Sequence, residues 1–514
     1  MHYNNKSKLV FKAYTPNQSL IFPSNLDEII DQNHPVRIVN QVIDQIKIGP
    51  LIARYKPGGT SSYHPRLLLK VLVYAYLNNI FTSRKIEAAL KENIHFMWLS
   101  GMSKPDHNTI NRFRSERLEG VLKNIFGQIV ELLVEQGLIS LQEIYVDGTK
   151  IEANANRYSF VWGRAIKTNK ERIRKQLEEL WQYTQQIAGE ELSDTEPTTY
   201  PTLDAQVVGQ TIEKIDKALE NKPVSKKVKQ KLAYAKNHWP AKLDQYQEQE
   251  NILGARNSYS KTDPDATFMR MKEDYMGNGQ LKPGYNWQIS TTEQFIVNYS
   301  LHHNPTDTLT FKPHLEQFQA LYHQWPEAIT ADAGYGSEEN YQYLEDKPIS
   351  NFIKYNYFHK EQTRAWKNDP FNTDNLFYNE NTDRVYCPMG QPMTKIGQRK
   401  KLTENHYEQT YHRYQAQDCS HCPLKGPCHK GKGKGNRIVE INHKLRKYKQ
   451  KVRGNLLSDE GLRHRRKRPA DVEPVFAFIK HNRGYKRFLL RGLDKVSIEI
   501  GLLAISHNLA KIIN

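Results

Sequence analysis

The run Ile144-Tyr145-Val146-Asp147-Gly148 and its echo Ile329-Thr330-Ala331-Asp332-Ala333-Gly334 decide how this chain is read. In each, a short apolar stretch rich in strand-forming residues meets an aspartate and then a glycine. Both carboxylates are therefore expected where a strand ends and the chain turns. Glu473 sits in a different pattern. Val472, Val475, Phe476 and Ile479 recur at helix spacing, which predicts a helix opening at the glutamate.

Two strand-end aspartates and a helical glutamate suit one kind of chemistry. Mg²⁺ or Mn²⁺ takes oxygen ligands, and two such ions a few ångströms apart activate a hydroxyl or water and stabilise the leaving oxygen of a phosphodiester. Asp147, Asp332 and Glu473 are thus the candidate catalytic residues and the candidate ligands of two divalent ions. Asp263 and Asp265 in Thr262-Asp263-Pro264-Asp265 are the rivals, but Pro264 and the polar neighbours read as a turn.

The 514 residues exceed what a single core usually serves, so more than one domain is expected. With 74 basic against 56 acidic residues the net charge is +18, which points to a polyanion, most plainly nucleic acid. A membrane is not expected, because Lys70 interrupts one apolar stretch and His507 and Asn508 another. The first residues, MHYNNKSKLVFKAY, lack the apolar core of a signal peptide, so a cytosolic protein without disulfides is expected.

Working outward, residues 1–135 read as a helical domain. Its later part resembles a helix-turn-helix in which Asn108, Thr109, Asn111, Arg112 and Arg114 would contact DNA, since Asn and Arg suit bidentate base contacts; the alternative is a solvated helix on an ordinary bundle. Residues 136–164 and 251–375 carry strands alternating with helices, the pattern of a mixed α/β core. Between them, 165–250 is charged and helix-prone, broken by Ser193–Thr202, and reads as a long helical hairpin. Residues 376–460 form a Cys-rich interruption, and 461–514 close the chain with helices carrying Glu473.

Basic residues surround that glutamate. Arg463 to Arg468 reads RHRRKR, expected just before the helix, and Lys480 lies seven residues beyond Glu473 on the same helical face. Arg465, Arg468, Lys480 and Lys150 are the candidate phosphate contacts.

All four cysteines, Cys387, Cys419, Cys422 and Cys428, fall within the Cys-rich interruption, two of them in a CxxC knuckle. A closed Cys₄ site for structural Zn²⁺ is the first reading, with His421 or His429 as substitute ligands and reduced structural thiols as the alternative. The adjoining Lys430–Arg437 run, KGKGKGNR, would suit DNA backbone contact.

Three blocks together resemble bacterial insertion-sequence transposases of the DDE superfamily: YVDGTKIEANANRYSFVWG, ITADAGYGSEENYQYL and DVEPVFAFIKHNRGYKRFLLRGLDKVSIEIGLLAISHNLAK. The resemblance implies an RNase H-like mixed-sheet catalytic core, metal ligation by Asp147, Asp332 and Glu473, and a chain that binds the ends of its own element. It also implies cleavage, joining of the 3′-OH ends to target DNA, and a homodimer in the synaptic complex. In related chains a Tyr and an Arg precede the glutamate and a Lys follows it. Arg468 and Lys480 match, whereas a basic residue near Arg465 stands at the Tyr position. The other readings are a catalytically inactive or domesticated DNA-binding protein, and a nuclease that cuts without strand transfer.

Overall fold

The computed structural model describes residues 25–55, 62–191, 203–271, 279–403, 405–429 and 435–513. The N-terminal stretch, the Ser193–Thr202 link and the lysines of KGKGKGNR lie outside these residues.

Thirteen strands form three sheets among the described residues. The strands in chain order are β1 (Glu143–Glu152), β2 (Phe160–Trp162), β3 (Ser258–Ser260), β4 (Thr267–Arg270), β5 (Leu281–Thr292), β6 (Phe295–His302), β7 (Ala328–Ala331) and β8 (Ser350–Ile353), followed by β9 (Tyr378–Asn379), β10 (Arg384–Tyr386), β11 (Pro392–Leu402), β12 (Glu408–Ala416) and β13 (Ile438–Ile441). The largest sheet runs β4-β5-β1-β7-β8, with β6 also paired to β5. Its β4, β6 and β1 pair antiparallel with β5, whereas β1, β7 and β8 run parallel. The fold is therefore mixed α/β.

Burial explains why the strands of this sheet read as near-continuous apolar or small-residue runs. Tyr145, Val146, Tyr285, Trp287, Ile289, Ile329 and Ile353 are enclosed on both faces. The Leu493–Ile513 helix packs on β6 and also on the Pro65–Leu77 and Leu122–Glu135 helices. That helix is long and apolar enough to cross a membrane, but most of it is buried inside the protein. One hydrophobic cluster consequently runs from Ile30 through the sheet to Leu509, so the N-terminal helices share their core with the sheet.

Two units stand out from this core. The charged segment forms three helices, Gly163–Ala188, Ala205–Leu219 and Lys226–Leu253, and not the two of a hairpin. The additional break falls at Pro223, after which Ser225 caps the last helix by accepting from Val228 N. These helices enclose their own core, including Trp181, Ile212 and Trp239. The second unit is the antiparallel sheet β13-β12-β11-β10-β9, built around Val385, Met393, Tyr414 and Val439, with Cys387 and Cys419 packed against it.

Candidate active site

Asp147 lies inside β1, not at its end, because β1 continues to Glu152 through its pairing with β5. What ends near Asp147 is the neighbouring strand. Val146 pairs with Ala331 in the parallel β1–β7 ladder, and β7 stops there. Asp332 is the next residue, so the two aspartates follow a matched pair on adjacent parallel strands. Each carboxylate accepts a backbone N–H at 2.8 Å, Asp147 from Gly148 and Asp332 from Gly334.

The third carboxylate arrives on the Asp459–Ala477 helix, which lies across β1, β5, β7 and β8. Glu473 is near the end of this helix, and the RHRRKR run is inside it. The helix continues through Pro469 and Pro474, residues that suggest a break in a sequence. Its rotation is set by Asp471, which accepts from Thr291 Oγ1 at 2.6 Å and from Gln294 N at 3.2 Å. Burial raises the Asp471 pKa, and these two hydrogen bonds oppose the rise. Two turns earlier His464 meets the Tyr145 hydroxyl at 3.1 Å and stacks on Phe352. Arg463 is fastened to Glu143 at 2.6 Å.

With the helix so fixed, Arg468 enters the space between the carboxylates. Its Nη2 is 3.2 Å from Asp147 Oδ2 and 3.8 Å from Asp332 Oδ2, and its Nη1 is 3.9 Å from Glu473 Oε1. One guanidinium thus touches all three predicted ligands. Their surroundings differ: the side chains of Arg468 and Asp147 are 8% and 9% exposed, against 40% for Asp332 and 63% for Glu473. Two buried anchors and two accessible acids make a site open on one side.

The other predicted phosphate contacts divide. Arg465 is half-buried with its guanidinium over the Phe358 ring at 5.2 Å. Lys480 is not presented on an open helical face. The helix widens into a π-turn over Phe478–Asn482, and Lys480 is buried, donating to the Lys150 carbonyl at 3.2 Å. Lys150 itself is half-buried on β1. The rivals Asp263 and Asp265 cap the Leu493–Ile513 helix, accepting from Gly492 N at 3.1 Å and Leu493 N at 2.8 Å.

Two residues beside the site carry no local sequence signal. Asp307 precedes the Phe311–Tyr322 helix, where an aspartate reads as a cap, yet it approaches both Gly148 and Gly334. Lys354 follows β8, and burial lowers its pKa, helped by Arg468 and Arg465 and opposed by Asp332 and Glu473.

Farther away, the Ser83–Glu92 and His107–Arg112 helices are joined by Glu87, which accepts from His107 N at 3.0 Å. Asn108, Asn111 and Arg112 are exposed and Thr109 half-exposed. Arg114 departs from its expected place at DNA. It is 3% exposed, and donates to Phe81 O at 2.7 Å and Asn111 Oδ1 at 3.2 Å. The π-turn over Phe113–Arg117 turns it into the core.

The four cysteines are reduced and line one small cavity at the end of the second sheet. Arg437 Nη1 donates to Cys428 Sγ at 2.9 Å. Among the described residues no group of three or more His, Cys, Asp or Glu is close enough, as placed, to hold a metal ion. For the carboxylates the donor chemistry nevertheless fits a hard cation, since three of them already gather around a positive group. For the cysteines there is convergence on a cavity without a completed ligand set.

Two family models match the chain. Residues 386–513 match a transposase DDE domain and residues 24–116 match a transposase domain. The first stretch contains Glu473, Arg468, Lys480 and all four cysteines, while Asp147 and Asp332 lie between the two. No curated protein and no solved structure gives a match.

Proposed function

We propose, for a chain that belongs to the DDE transposases of insertion sequences, that Asp147, Asp332 and Glu473 form the centre that cuts the ends of its element and joins them to target DNA. The observation carrying this is the single Arg468 guanidinium in contact with all three carboxylates. The strand order, antiparallel on one side of β1 and parallel on the other, supports an RNase H-like reading of the core.

Two bound Mg²⁺ or Mn²⁺ ions would supply the activation of a water or 3′-hydroxyl and the stabilisation of the departing oxygen. Asp147 is the fixed ligand, held in the sheet and shielded from water. Asp332 and Glu473 stand at the open rim, where a phosphodiester can approach. Arg468 neutralises the three acids and, because its guanidinium is forked, can turn one N–H pair towards a phosphate oxygen. Lys354 adds a second cation at the rim.

Asn108, Thr109, Asn111 and Arg112 are proposed to read the terminal repeats, and Arg465 to meet the backbone. Joining two ends calls for two such centres, so a homodimer belongs to the reading. So does a structural Zn²⁺ held by Cys387, Cys419, Cys422 and Cys428; its support is that all four line one cavity, and metal analysis of the purified protein tests it.

The deciding assay incubates the protein with duplexes carrying the element's ends and Mg²⁺ or Mn²⁺. Cleaved 3′ ends and joined products from wild type, with neither from Asp147→Asn, uphold the proposal. Cleavage without joining favours a nuclease, and equal products from both proteins refute the assignment.

A further inference from the structure

Asp307 lies outside the sequence blocks of all three proposed ligands. It opens the short Asp307–Leu309 turn ahead of the Phe311–Tyr322 helix. Its Oδ1 accepts from Asn286 Nδ2 at 2.8 Å and from Gln288 Nε2 at 3.0 Å. Those amides stand on β5, opposite Lys150 and Gly148 of β1. Gln288 is oriented in turn, because its Oε1 accepts from the hydroxyl of fully buried Tyr335. Burial, reinforced by the charges of Asp307, Asp147 and Asp332, holds the Tyr335 pKa well above its ordinary value, so this hydroxyl remains a donor.

The glycines that follow the two aspartates now acquire a reason. A Cβ on Gly148 would stand 2.1 Å from Gln288 Nε2 and 2.9 Å from Asp307 Oδ1. A Cβ on Gly334 would stand 3.0 Å from Asp332 Oδ1 and 3.5 Å from Asp307 Oδ2. Neither glycine has the positive φ that would mark a turn requirement. Both positions are open so that Asp307 can sit between them, with one oxygen tied to β5 and the other on the Asp332 side.

A fourth carboxylate beside three is repulsive unless cations offset it. Against four carboxylates stand Arg468 and, at the rim, Lys354, and the buried Nε of Arg468 finds no hydrogen-bond partner among the described residues. The pocket therefore holds an unmet donor as well as excess negative charge, the combination expected where a metal ion and a phosphate oxygen enter together.

We propose that Asp307 is a fourth carboxylate of the site, giving Oδ2 to the second of two divalent ions, while Asn286, Gln288 and Tyr335 fix its direction. This rests on the reading of Asp147, Asp332 and Glu473 as metal ligands. The test is Mn²⁺ titration of the full chain, followed by electron paramagnetic resonance and calorimetry, for wild type, Asp307→Asn, Tyr335→Phe and Asp147→Asn. Two ions are expected to bind wild type. Asp307→Asn should keep the first and bind the second roughly 10- to 100-fold more weakly. Tyr335→Phe, which leaves every charge in place, should weaken the second ion alone, and it decides the matter if Asp307→Asn fails to fold. Wild-type binding in both of these variants, or a wild type that takes a single ion, overturns the proposal. If Asp147→Asn alone is impaired, the catalytic reading stands without Asp307. If Asp147→Asn also binds as wild type does, the catalytic reading falls.

Discussion

Arg468 and Asp147 face each other at 3.2 Å with both side chains more than nine-tenths buried. A buried carboxylate deprived of its partner costs far more than an exposed one, because nothing replaces the lost hydration. Arg468→Gln is therefore expected to lower stability by about 3 kcal/mol. Mg²⁺ should restore part of that loss by taking over the neutralisation of Asp147. Urea unfolding with and without Mg²⁺ checks both statements, and an identical loss in the two conditions would contradict the second.

Asp332→Asn should leave the fold intact and abolish DNA cleavage. The side chain is 40% exposed, so little packing is lost. The expected fall in rate is on the order of 10³-fold or more, measured as strand nicking on end-bearing duplexes.

Arg114 and Arg112 are two residues apart and should behave oppositely. Arg114→Ala removes a buried group that donates to Phe81 O and Asn111 Oδ1, and should cost about 2–3 kcal/mol. The protein that still folds should bind DNA as before. Arg112→Ala, on an exposed position, should keep its melting temperature and lose about 1 kcal/mol or more of binding. Gel-shift and thermal-melt measurements on the two variants separate these outcomes.

Gly148→Ala should disturb the site through Gln288, whose amide nitrogen would lie 2.1 Å from the new methyl group. Gln288 is bound to both Tyr335 and Asp307 and cannot yield easily. A stability loss of about 1–3 kcal/mol with impaired cleavage is expected. Gly189→Ala, where a Cβ meets nothing within 4 Å, is the control.

Acid should destabilise the protein by way of its buried histidines. Burial penalises the charged forms of His302 and His507 and lowers each pKa to about 4. In the unfolded chain both titrate near about 6.5. The unfolded state therefore takes up more protons as pH falls, and stability declines from about pH 6.5 towards about 4. The melting temperature should drop on going from neutral pH to about pH 5, and the double variant His302→Gln, His507→Gln should show a shallower drop.

Much of the sheet could be read locally. YNWQISTT, FIVNYSLHH and SNFIKY lie where strands are found, and EENYQYLE is a helix, because side-chain periodicity and residue type act over a few neighbours. Where the reading failed, a local signal had two causes. Gly148 looked like a turn and is a space for Asp307 and Gln288. The helix expected to open at Glu473 begins at Asp459 and carries Pro469 and the basic run inside it. Arg114, polar and close to exposed Arg112, looked like a DNA contact until the π-turn carried it into the core.

The amino-acid sequence alone determined the basic balance, the alternation of strands and helices, and the three carboxylates that stand beside apolar runs, all properties of a residue and its near neighbours. Only the tertiary structure decided which of those acids meet. The Val146–Ala331 pairing places Asp147 and Asp332 after matched positions, and Asp471 fixes the rotation of the helix that brings Arg468 and Glu473. Asp307 joins them from a turn with no distinguishing pattern, held by amides on β5. Strand register and helix rotation are set by contacts between distant segments, and no window of sequence contains them.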